Sequence, residues 1–80
     1  MEAMIEGTIM AVMETWPLQL VVDANGRRYD LRLTEQTTVV RRGRTVGQRG
    51  LRPGLRIRFT GEKGAAPGGA ALLVRHIEVL

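Results

Sequence analysis

The sequence predicts an all-β fold, a small barrel of five or six short strands in a single domain covering residues 1–80. Three observations carry this expectation. Apolar and polar residues alternate in short runs, the two-residue period of a strand rather than the 3.6-residue stripe of a helix. Turn signals separate these runs at intervals that suit a small barrel. The chain of 80 residues is also too short for two cores, since a protein of this size buries only about 60–65% of its unfolded surface.

The strands follow in order. Ile5 to Met13 is β-prone, with Ile9 and Val12 among its apolar residues, and Gly7 inside the run suggests a bend or bulge in a coiled first strand. After the break at Thr15, Trp16 and Pro17, Leu18, Leu20 and Val22 alternate with Gln19, Val21 and Asp23 as a half-buried strand. Asn25-Gly26 supplies the positive φ values of a tight hairpin, and the return strand turns Tyr29, Leu31 and Leu33 to one side and Arg28, Asp30 and Arg32 to the other. From Thr34 to Gly50 only Thr37 to Val40 reads as a strand; Arg-Gly-Arg and Gln-Arg-Gly read as turns. Pro53-Gly54 is a further turn, after which Leu55, Ile57 and Phe59 alternate with Arg56, Arg58 and Thr60. Gly61 to Gly69 reads as a loop, and Ala70 to Leu80 as a last strand whose alternation breaks at Arg75 and His76, as a bulge would cause.

Charge is unevenly distributed. Between Gln36 and Arg58 lie seven arginines (Arg41, Arg42, Arg44, Arg49, Arg52, Arg56 and Arg58) and no acid, so the net charge of +4 is concentrated there. Such a stretch presents a positive patch to phosphate, acidic protein or anionic lipid. The chain contains no cysteine, which excludes a disulfide framework, a thiolate zinc site and a thiol nucleophile. One histidine, His76, and scattered carboxylates such as Asp23 and Asp30 make a poor metal site, so neither metal nor cofactor is expected. Serine is absent too, and no nucleophile stands at a suggestive spacing from His76, so catalysis is not expected. No apolar run reaches the ~20 residues of a membrane span, and the first residues lack the pattern of a signal peptide, so a cytoplasmic location is expected.

The residues Gly7-Thr8-Ile9, Asn25-Gly26, Leu33-Thr34 with Thr37-Thr38, Leu51 with Pro53-Gly54-Leu55, and Ile77-Glu78-Val79 together resemble the small bacterial OB-fold-like β-barrel domains of unknown function. A weaker similarity runs to the one-domain bacterial translation initiation factor with an S1-like OB fold. It rests on the opening Gly-Thr-apolar strand, Trp16-Pro17 in the first loop and the Asn-Gly hairpin. That second resemblance implies RNA binding. The longer Thr34 to Gly50 connection and the Gly-rich Gly61 to Gly69 segment depart from the factor's pattern.

An OB-type barrel binds on the outer face of its second and third strands, flanked by two loops. This places Gln19, Val21, Arg28, Asp30 and Arg32 on the face, Trp16 in one loop as a stacking platform and Lys63 in the other. Tyr29 and Phe59 fall on the inward parity. Arg41, Arg42 and Arg44 are expected in a mobile loop that tracks a phosphate backbone. About four such contacts give a log-log salt slope near ~3 for a single strand. The expected function is therefore a non-catalytic module binding single-stranded nucleic acid, RNA in first place, through Trp16, Arg28, Arg32, Arg41, Arg42, Arg44 and Lys63. The alternative is a homo-oligomeric or partner-binding barrel, with the arginines as a solvated surface. Met4, Met10 and Met13 fit a small core or, less commonly, an adaptable contact surface.

Overall fold

The structure, a computed structural model, describes residues 4–15, 18–63 and 71–80, and for residues 62, 63 and 71 the backbone alone. Strands β1 (Met4–Met13), β2 (Gln19–Ala24) and β3 (Arg27–Arg32) come first. A short hairpin, β4 (Thr38–Arg41) and β5 (Arg44–Val46), follows, then one 3-10 turn at Gln48–Gly50. Strands β6 (Arg56–Lys63) and β7 (Ala71–Val79) end the chain.

β1 is long enough to serve two neighbours: Met4 to Thr8 pair with β6, and Thr8 to Met13 with β2. β3 returns antiparallel to β2. β6 pairs with β7, and β7 meets β3 in parallel, which closes β1, β2, β3, β7 and β6 into an OB-like barrel. The β4–β5 hairpin is added outside that ring, with β4 parallel to the second half of β7.

Local chemistry explains these elements. Asn25 and Gly26, with φ of 55° and 78°, make the two-residue hairpin turn whose twist matches the strands it joins. Arg42 and Gly43, with φ of 52° and 76°, make a second turn of the same kind. The segment expected to hold one short strand and turns therefore holds a hairpin and a 3-10 turn, because a glycine after Arg42 is enough to reverse the chain. β6 continues through Gly61 to Lys63, which corrects the loop expected for these three residues; the rest of the expected loop, 64–69, lies outside the described residues.

Among the described residues, register shifts occur at two places. Between Ile9 and Ala11, Met10 is left without a partner on β2. Opposite Thr60 and Gly61, Arg75 is left out of the β7 ladder, where the break in alternation placed a bulge. Gly7 instead pairs regularly with Ile57. Its role is close approach: a Cβ there would lie 2.6 Å from Val22 Cγ1 and 2.7 Å from the Asp23 carbonyl oxygen.

The core comprises Ile9, Leu20, Val22, Leu31, Leu33, Val39, Leu51, Ile57, Phe59, Val74, Ile77 and Val79. Tyr29 is half-buried against it, edge-on to Phe59 with ring centroids 6.3 Å apart. Met4, Met10 and Met13 are exposed, contrary to the core reading of the methionines.

Two polar devices fasten the barrel. Thr37, buried between the β3 and β4 pairings along β7, donates its hydroxyl to the Val74 carbonyl at 2.7 Å and accepts from the Thr34 amide at 2.8 Å. Gln48 donates from Nε2 to the carbonyls of Thr34 and Thr37 at 2.8 and 3.1 Å, which ties the 3-10 turn to the root of β4. On the outside, Arg58 lies between Glu6 and Glu78 at 2.6 and 3.2 Å, its cross-strand neighbours on β1 and β7. The hydrogen bond and charge of Glu6 push the Arg58 guanidinium above its ordinary value.

Candidate functional site

The outer face of β2 and β3 is electrically mixed. Gln19 stands opposite Arg32, Val21 opposite Asp30 and Asp23 opposite Arg28. Arg28 donates to Asp30 at 3.3 Å, so one of the two arginines expected to bind phosphate already faces two carboxylates. Arg32 is exposed and forms no ion pair with a described residue. Tyr29 gives the face no aromatic platform, since it packs inward. Trp16 and the Lys63 side chain lie outside the described residues.

The hairpin carries a different surface. Arg41 and Arg44 are direct cross-strand partners, and Val39 and Val46 are partners at the base of the same ribbon. Because partners share a face and alternate residues return to it, Arg41, Arg44, Val39 and Val46 point one way and Val40 and Thr45 the other. Arg42 occupies the turn itself at a positive φ that an L-residue other than Asn, Asp or Gly rarely adopts. The expected mobile loop is thus corrected to a hairpin, in which backbone pairing fixes the spacing of the points from which the three arginine side chains leave the chain.

Arg49 on the 3-10 turn and Arg52 after it are exposed as well. Among the described residues, none of Arg41, Arg42, Arg44, Arg49 and Arg52 forms an ion pair. Arg56 and Arg58, from the same basic stretch, do so with Glu6. The ladder on β1, β6 and β7 therefore splits the sequence cluster into neutralised and unneutralised parts. Alternation alone could not reveal this, because it does not say which strand lies beside β6.

The two arginine groups are separated. Arg32 is level with Leu73 on β7, whereas Arg41 is level with Val79. At a rise of roughly 3.3 Å per residue, about 20 Å of strand lies between them. Among the described residues there is no group of three or more His, Asp or Glu side chains placed to hold a metal ion. Among them, too, no helix is long and apolar enough to cross a membrane. No protein-family model and no curated protein matches the chain.

Proposed function

We propose that this protein is a non-catalytic module that binds single-stranded RNA through a basic surface centred on the β4–β5 hairpin. The reading rests on one observation above all: Arg41, Arg42, Arg44, Arg49 and Arg52 are exposed, close in the chain and without an acidic partner among the described residues. An arginine at the positive φ of Arg42 is unfavourable by about 1 kcal/mol relative to glycine, a cost that a stacking or phosphate-binding role at the hairpin tip would explain. Arg28 and Arg32 on β3 form a second, separate proposed contact region, and Trp16 and Lys63, the last residue of β6 rather than a loop residue, remain proposed contributors.

The test is fluorescence anisotropy of a labelled mixed-sequence single-stranded RNA, with matched duplex DNA as competitor, at two salt concentrations. Five phosphate contacts give a log-log slope of about 3.5 at ~0.7 per contact for a single strand. The triple variant Arg41→Ala, Arg42→Ala, Arg44→Ala is expected to weaken binding to every sequence and lower that slope by about 2. Absence of binding at low salt would refute the proposal.

A second reading has its own support in the exposed side chains of Met4, Met10 and Met13 along β1. Thioether side chains adapt to varied apolar partners, so this strand suits a second copy or another protein. A solution mass twice that of the chain, independent of concentration and joined to a lack of RNA binding, would favour it.

A further inference from the structure

A groove lies beneath the hairpin, about 390 Å³ in volume, with Val39, Val46, Leu51, Leu55 and Val79 as its floor and Arg41 and Arg49 at its rim. Three other grooves differ in one respect that bears on anions: each carries a glutamate, Glu78, Glu6 or Glu14. None of the described residues that line the groove under the hairpin has a carboxylate side chain. Arg44 adds a third cation beside Arg41 on the face that the hairpin turns toward this floor.

We propose that this groove receives one unstacked base of the bound strand, with Arg41, Arg44 and Arg49 holding the flanking phosphates; the inference rests on the RNA reading above. The floor offers apolar contact to a planar ring, and a guanidinium can lie flat on a base while bonding a phosphate oxygen. The volume is at the small end for ligand sites, which fits a single base rather than a stacked pair. An acidic peptide adding to the open edge of the sheet is less suited. That edge is β5, whose three residues provide few ladder bonds.

The site also explains the placement of the 3-10 turn. Gln48, fixed to the Thr34 and Thr37 carbonyls, holds the turn that places Arg49 in the same groove lining as Arg41. Specificity for base over bare sugar-phosphate would therefore be set at the barrel's end, away from the β2–β3 face.

The test uses the full chain with methyl-labelled valine and leucine, titrated with hexauridylate and, in parallel, with an abasic strand of equal length. Hexauridylate is expected to shift the methyl resonances of Val46, Leu51 and Val79 more than those of Val21 on the β2–β3 face, and to bind about fivefold or more tightly than the abasic strand. Arg49→Gln, at an exposed position, is expected to reduce both the groove shifts and the preference over the abasic strand without lowering the melting temperature. RNA binding with shifts confined to Val21 and its neighbours would overturn the groove and leave the RNA reading standing. So would equal affinity for the two strands. No binding of either strand would overturn both. Polyglutamate competing at the same methyls more strongly than hexauridylate would assign the groove to an acidic protein and overturn the base site.

Discussion

Replacing Thr37 by valine tests whether one buried hydroxyl decides how the hairpin joins the barrel. The change conserves shape and raises β-propensity, so an account based on apolar burial predicts a neutral or stabilising effect. The hydrogen bonds predict the opposite. Thr37 is 6% exposed, and its hydroxyl donates to the Val74 carbonyl at 2.7 Å. It lies where β7 has left its parallel pairing with β3 at Leu73 and has not yet begun its pairing with β4 at His76. Valine leaves that carbonyl facing a methyl group, and an unsatisfied buried acceptor costs about 1–3 kcal/mol. Loss of the 2.8 Å bond from the half-buried Thr34 amide adds less, since water can replace it in part. A total of about 2–3 kcal/mol corresponds to a fall of roughly 10–20 °C in melting temperature for a domain of this size. Thr37→Ser keeps the hydroxyl and loses one methyl, about 1 kcal/mol. Thermal unfolding followed by circular dichroism should therefore rank the proteins wild type, Ser, Val in falling stability. A valine variant at least as stable as the serine variant would refute the reasoning.

Three further outcomes are expected. Gly7→Ala should destabilise by about 2 kcal/mol or more in denaturant unfolding, because the added Cβ meets the Asp23 carbonyl at 2.7 Å and β2 must shift to admit it. Unchanged stability would mean that β1 and β2 separate freely at that point. Arg42→Asn should raise stability by about 0.5–1 kcal/mol, since asparagine tolerates positive φ better, while lowering RNA affinity. A stability gain with undiminished affinity would remove Arg42 from the binding surface. Gln48→Ala should lower the melting temperature by a few degrees, about 1 kcal/mol from two lost bonds to backbone carbonyls, and weaken RNA binding by releasing Arg49. Weaker binding without loss of stability would point to direct contact by Gln48 instead.

Much of the barrel was legible in residue patterns. Alternation assigned Leu20, Val22, Leu31, Ile57 and Phe59 to the interior, where they are buried. Asn25-Gly26 marked its hairpin because both residues favour the required φ. Arg-Gly-Arg was legible as a turn through its glycine, but the return strand Arg44–Val46 that makes it a hairpin was missed, because three residues are too few to show an alternation. Met10 was another miss: the bulge was expected near Gly7, but a glycine can also mark close approach of a neighbouring strand, and that is its use here.

The candidate site was less legible. The cluster of arginines was visible as charge, yet its division was not. Glu6 and Glu78 approach Arg58 only because β1 and β7 flank β6. Likewise, Gln48 looks like an ordinary loop glutamine until its amide is found bonded to Thr34 and Thr37. Sequence by itself determined the strand periodicity, the all-β class and the excess of positive charge, since these follow from side-chain chemistry and from turns closed within a few residues. Tertiary structure decided which strands became neighbours, and so which arginines are paired and which surround the groove. Those outcomes depend on contacts between residues far apart in the chain, and local pattern carries no record of them.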